Sequence, residues 1–183
     1  MKFNQLLIMG ALVGFAVAVR LVFHLPNATP LTAIAFVSSL YFGRRYAILL
    51  PLLALFLSDL VIGFYDWRIM LSVYGSFALI GVVSFAIKKY PGVLSGAALV
   101  FASSLFFFVV TNFAVWIFSP WYAKSIEGLL YCYTLGLPFY RNMLLGDALY
   151  TPLLFGVFGY GAHAAKYVAG VREQFASRIK SAV

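Results

Sequence analysis

The stretch that decides the fold is VLSGAALVFASSLFFFVVTNFAVWIF, residues 93–118, which contains no charged side chain. A helix needs roughly 20 consecutive apolar residues to cross the hydrocarbon of a bilayer, and this segment exceeds that length. Across the whole chain 64% of the residues are hydrophobic and 10% are charged, with a mean hydropathy of +0.99. Soluble domains carry about 25% charged residues, so the sequence predicts an integral membrane protein built of α-helices.

Further apolar segments on both sides predict a single domain over residues 1–183, an all-α bundle of six transmembrane helices. The second segment is short for a full span. A semi-apolar stretch (126–137) in the long loop 119–141 could be a helix that lies on the membrane surface or dips into the protein. A basic amphipathic tail from about residue 166 could rest on an anionic leaflet or end in solvent. The predicted segments are 5–23, 30–42, 46–64, 69–87, 93–118 and 142–165.

The basic residues predict the orientation, because Lys and Arg concentrate in cytoplasmic loops. Both termini are therefore expected in the cytoplasm, and the net charge of +8 needs no nucleic acid to explain it. The first segment resembles a signal peptide at 16–18, but its apolar run continues through Phe23, which favours a retained helix. Nine of the 13 basic residues fall on the predicted inner side: Lys2, Arg44, Arg45, Lys88, Lys89, Lys166, Arg172, Arg178 and Lys180.

Three ionisable residues, Arg20, Asp59 and Asp147, lie inside these segments. A charge in hydrocarbon costs roughly 2.5–3.5 kcal/mol on insertion scales, so such residues usually face a cavity or one another. The predicted orientation places all three near the outer side, with Arg20 able to pair with either aspartate. The sequence therefore predicts an outward-facing pocket for a small molecule. Its further candidate residues are Tyr74, Asn112, Trp116 and Tyr150, with His24, Asn27 and Thr29 from the loop between the first and second segments.

The predicted inner halves of the helices are almost wholly apolar, which limits the classes of transport protein that the chain could belong to. A channel needs polar groups along its full length, and a transporter that works alone usually binds its solute near the midplane. A cup open to the outside can capture a solute without passing it inward. Each polar residue could instead be a structural contact between helices, and the tryptophans could form an interfacial belt.

A second pattern lies on the first segment, where Gly10, Gly14 and Ala18 share one helix face. Small residues at this spacing let helices approach closely. Arg20 lies about 120–160° around the helix from that face at 100° per residue. The face is predicted either to dock onto a partner membrane protein or to pack internally against the last segment.

Five segments carry a resemblance to known proteins: HLPNATPLT (24–32), LPLLALFLSDLVIG (50–63), VYGSFA (73–78), WY (121–122) and FYRNMLLGDALY (139–150). Through them the chain resembles an uncharacterised bacterial family of transport proteins. The outward cup, the six helices and the small-residue face of the first segment look like the substrate-binding S components of energy-coupling factor (ECF) transporters. The resemblance implies a vitamin-like substrate, the bacterial cytoplasmic (inner) membrane, and a coupling subunit joined to two ATPases. It gives Gly10, Gly14 and Ala18 the contact with that subunit, although glycines replace some of the usual alanines.

No enzymatic activity, cofactor or resident metal is predicted. The chain has no phosphate-binding P-loop, and His24 and Cys132 alone make a weak case for cobalt ligation. Ser76 and His163 superficially resemble a protease dyad but are predicted at opposite depths, too far apart for the hydrogen bond that a dyad requires. The alternative to a substrate-binding component is a solitary, proton-coupled transporter.

Overall fold

A computed structural model describes the backbone of residues 3–22, 25–90 and 92–181, and the side chains of residues 4–22, 25–90 and 92–159. Within these ranges every regular element is an α-helix. The helices are α1 (Phe3–Val22), α2 (Leu31–Tyr41), α3 (Arg44–Ile62), α4 (Trp67–Val83), α5 (Ala86–Lys89), α6 (Val93–Phe118) and α7 (Ile126–Ser181).

Four stretches of the described residues are long and apolar enough to cross a membrane. They lie in α1, in α3, in α4 with α5, and in α6. By the length and composition of its helices, the prediction of a helical membrane protein is confirmed. The predicted bounds of the segment 93–118 are those of α6. α2 has 11 residues, and at 1.5 Å per residue it is about 16 Å long, roughly half the hydrocarbon thickness.

The short helix α2 lies in the centre of the bundle. Every residue from Leu31 to Ser39 is buried, and α2 packs mainly against α3, α4 and α7. Around it α1, α3, α4, α6 and α7 follow one another as packed neighbours. Phe15 of α1 meets Tyr150 of α7 edge to face, with ring centroids 5.8 Å apart, and completes the circle. A helix shorter than the bilayer is therefore shielded from lipid by its neighbours.

The prediction that the last segment starts at residue 142, after a loop over 119–141, is wrong. The stretch 126–137, which the sequence allowed to be a separate helix, is the first part of α7. α7 begins at Ile126, one residue after Ser125, whose hydroxyl accepts a hydrogen bond from the backbone N–H of Gly128 at 3.2 Å. Pro138 and Pro152 both lie inside the helix. Prolines are tolerated in membrane helices where neighbouring groups satisfy the freed backbone. The amphipathic pattern predicted for the tail concerns side chains beyond the described ones.

Candidate functional site

An ion pair joins three helices at one end of the bundle. Arg20, in the last turn of α1, donates from Nη2 to Oδ1 of Asp59 on α3 at 2.6 Å. The hydroxyl of Tyr74 on α4 donates to the other carboxylate oxygen, Oδ2, at 2.8 Å. Asp59 is 1% exposed. Its two oxygens are thus both engaged, and the predicted pairing of Arg20 with an aspartate occurs with Asp59.

A cavity of about 260 Å³, called here the Arg20 cavity, opens beside this ion pair. Arg20 lines it, and its buried Nε has no hydrogen-bond partner among the described residues. Known ligand pockets span about 300–1,000 Å³, so this cavity lies just below that range and suits a small solute. Three polar residues (Asn27, Thr29 and Tyr65) and six apolar ones (Leu31, Leu55, Val73, Phe77, Phe107 and Met143) complete the lining.

The loop between α1 and α2 supplies one wall of the Arg20 cavity. Asn27 has a positive φ of 67°, a conformation that asparagine tolerates better than most residues. The carbonyl of Pro26 accepts a hydrogen bond from the side-chain amide of Asn142 at 3.3 Å, which ties the loop to α7. Asn27 and Thr29, predicted from the sequence as loop contributions, therefore lie at the cavity, whereas His24 lies outside the described residues.

Tyr65, in the turn between α3 and α4, was not predicted as a site residue. It lines the Arg20 cavity and is 42% exposed. Partial burial of its phenol, with the negative charge of Asp59 as a further cause, raises the pKa of Tyr65 to about 12. It stays a neutral phenol at physiological pH and can donate or accept a hydrogen bond. A tyrosine near a helix end reads equally well as part of an interfacial belt, so the sequence offered no signal.

Asp147 lies apart from this site, so the prediction that it shares a pocket with Arg20 and Asp59 is wrong. Its Oδ2 accepts a hydrogen bond from the hydroxyl of Ser104, near the middle of α6. It lines a second cavity instead. The error follows from the start of α7, because a helix beginning at Ile126 places Asp147 several turns along instead of near its beginning.

The remaining predicted pocket residues do not line the Arg20 cavity. The side-chain amide of Asn112 donates to Phe108 O of its own helix at 2.8 Å. The indole of Trp116 donates to Ala123 O at 2.9 Å. The ammonium group of Lys124 contacts Trp116 O. These two contacts hold the turn before α7. Tyr150 packs on Phe15. All three make structural contacts.

The face of α1 formed by Gly10, Gly14 and Ala18 is exposed along its length. A Cβ atom added at Gly10 or Gly14 would meet nothing within 4 Å. Internal packing of this face, the alternative to partner contact, is therefore absent among the described side chains, which end at residue 159.

Metal ligation finds no support in the described part of the chain. No three of its His, Cys, Asp and Glu side chains lie close enough together to hold an ion. The buried thiol of Cys132 instead contacts Asn112 O at 3.4 Å.

Comparison with known proteins places the chain in a family. Residues 1–169 match the profile described as "Family of unknown function (DUF6580)", and the chain belongs to this family. No curated protein and no solved structure matches the chain. The family description carries no statement about transport.

Proposed function

We propose that this protein binds a small molecule in the Arg20 cavity and serves in its uptake across the membrane. The observation that carries the proposal is a guanidinium with unused donors on the wall of a cavity large enough for a small solute. A guanidinium has five N–H donors, and the contact with Asp59 occupies only Nη2. A few converging polar groups in a mostly apolar concavity are the usual features of a small-molecule site.

The contacts of Asp59 favour an anionic ligand group, such as a carboxylate. Asp59 is held by Arg20 and Tyr74, is 1% exposed and does not line the Arg20 cavity, so it does not offer its carboxylate to a cationic ligand there. The spare N–H groups of Arg20 match the planar geometry of a carboxylate. The apolar wall around Phe77 and Phe107 suits a carbon skeleton or ring. A zwitterion would have to displace Tyr74 from Asp59.

For the route inward we favour a coupling partner of the ECF type. The exposed face of Gly10, Gly14 and Ala18 is free for close contact with another membrane helix. The resemblance to S components implies that this face contacts a coupling subunit. It also implies that ATPases joined to that subunit drive the uptake. The proposal includes six membrane crossings, with α2 and the later part of α7 as the two beyond the four long apolar stretches, and the Arg20 cavity on the outer side.

The second candidate is a solitary transporter, which the position of Asp147 favours. The residue is 4% exposed and contacts Ser104 near the middle of α6. Buried carboxyl groups at such depth serve proton relays in membrane transporters, and sites at the midplane are typical of proteins that transport alone.

The binding proposal is tested by what the purified protein retains. Arg20→Gln should lose a small anionic molecule that wild type carries through gentle purification, because the charged donors are removed. Mass spectrometry of the denatured extract measures it. Arg68→Gln is the matched control, since Arg68 forms an exposed ion pair with Asp66 and does not line the cavity. The same molecules at the same occupancy in all three proteins would contradict the proposal.

The coupling proposal is tested by co-purification. Gly14→Leu should remove an ATPase-bearing membrane complex that accompanies wild type, because a large side chain blocks close helix approach. Val61→Leu on α3 is the control, since Val61 is 69% exposed on a different helix. Uptake of the retained molecule into liposomes by the isolated protein would instead support the solitary transporter.

A further inference from the structure

The cavity that Asp147 lines, called here the Asp147 cavity, has a volume of about 840 Å³ and lies between α6 and α7. It is larger than the Arg20 cavity and shares no lining residue with it. Among the described residues that line it, only Asp147 and Thr151 have polar side chains. The space suits a large apolar molecule that meets polar groups at one point.

The carboxyl of Asp147 has partners on two neighbouring helices. The Ser104 hydroxyl of α6 donates to Oδ2, and the Thr32 hydroxyl of α2 is a further hydrogen-bond donor to the carboxyl. Ser104 Oγ also lies 3.0 Å from the carbonyl oxygen of Val100. No salt bridge of the described residues includes Asp147, so hydroxyl groups are the partners that hold it.

Two polar atoms at this cavity lack partners among the described residues. They are Oδ1 of Asp147 and the hydroxyl oxygen of Thr151, both buried. Oδ1 is an acceptor that needs a donor, and the Thr151 hydroxyl needs an acceptor for its proton. An unmade hydrogen bond in an apolar surrounding is costly. A partner that donates to one atom and accepts from the other would satisfy both.

A single hydroxyl group meets this requirement, because its one oxygen donates and accepts at the same time. Asp147 and Thr151 are four residues apart on α7, where side chains are neighbours at about 5–6 Å between Cβ atoms. One oxygen can bridge that separation with two hydrogen bonds of about 2.7–2.8 Å each. An ammonium group supplies donors only, and an alkyl chain supplies neither donor nor acceptor.

We propose that the Asp147 cavity binds an uncharged lipophilic alcohol that enters from the bilayer, with its hydroxyl between Asp147 and Thr151. The apolar body lies against the surrounding residues of α6 and α7, among them Val100 and Phe155. This site is independent of the Arg20 cavity. Its ligand comes from the membrane, whereas the Arg20 ligand comes from solution.

Photolabelling in phosphatidylcholine vesicles tests the proposal. The full-length protein is labelled with a diazirine-bearing hexadecanol, and peptides of α6 and α7 are analysed by mass spectrometry. Dodecanol should compete with the label about tenfold better than dodecane, the ratio that two ordinary hydrogen bonds support. Equal competition by dodecane would overturn the proposal in favour of an unselective lipid groove. Stronger competition by dodecylammonium would overturn it in favour of an ionised Asp147 that binds cations.

Variants separate the two polar contacts. Thr151→Val should remove most of the preference for dodecanol and still fold, because the lost hydroxyl has no partner in the described structure. Thr134→Val is the matched control on the same helix, at an exposed threonine that bonds Leu130 O. Asp147→Asn should keep the preference, since its amide retains a carbonyl oxygen, whereas Asp147→Leu should lose it. A preference unchanged in Thr151→Val would refute the site, and Arg68→Gln, which alters an exposed ion pair away from both cavities, should leave labelling unaltered.

Discussion

Asp59→Leu is expected to destabilise the protein by about 3 kcal/mol, because it leaves the guanidinium of Arg20 without its counter-charge. The side chain of Asp59 is 2% exposed and that of Arg20 is 17% exposed. This partial exposure places the expected loss at the lower end of the range for breaking a buried pair. The change also frees the Tyr74 hydroxyl, which donates to Asp59. Unfolding in mixed micelles, followed by circular dichroism during denaturant titration, measures the loss.

A double variant distinguishes a lost ion pair from a poorly tolerated leucine. Arg20→Met combined with Asp59→Leu should recover most of the stability, because apolar side chains often replace a buried ion pair at little cost. Asp66→Asn removes the charge that pairs with Arg68 in an exposed ion pair but keeps the side-chain oxygen that caps α4, so it is the control and should change little. Equal losses in Asp59→Leu and Asp66→Asn would contradict the account. The double variant should fold without retaining the anionic molecule.

Part of the site could be predicted because helix direction fixes depth. Arg20 and Asp59 each lie near the end of an apolar segment, and the two segments run in the same direction through the membrane. Their charges therefore meet at one level, as the 2.6 Å contact confirms. The bounds 93–118 could be predicted because the segment contains no charged residue and follows Gly92. In the structure Gly92 has a φ of 141°, a conformation that strongly favours glycine.

Asp147 was misplaced because hydropathy reports lipid exposure and does not report where a helix begins. Arg141 and Asn142 are polar, so the segment before them resembled a loop, yet both lie inside α7. A polar residue occurs at position 142 inside the helix because the amide of Asn142 donates a hydrogen bond to Pro26 O in the loop before α2. A tertiary contact between residues so distant in sequence leaves no periodic signal in either segment. The apolar lining of the Arg20 cavity was equally hidden, since Phe77 and Phe107 have the composition of any membrane helix.

Two glycines of α7 should respond in opposite directions to the same substitution. A Cβ at Gly146 would lie 3.0 Å from the Cα of Ala28 and 3.1 Å from the backbone N of Thr29, atoms of the loop that lines the Arg20 cavity. Gly146→Leu should therefore push this loop away and destabilise the protein by about 3 kcal/mol, the upper end for overpacking. Retention of the anionic molecule should fall with it.

At Gly156 a Cβ would meet none of the described residues within 4 Å, so the same change meets no clash among them. Gly156→Leu should be neutral or stabilising by up to about 1 kcal/mol, because glycine is the poorer helix former. Denaturant titration in mixed micelles measures both variants, and mass spectrometry of the retained molecule measures the site. If Gly146→Leu were as stable as Gly156→Leu and kept the molecule, the loop between α1 and α2 would not depend on close contact with α7. The wall that carries Asn27 and Thr29 would then have to be held by other contacts.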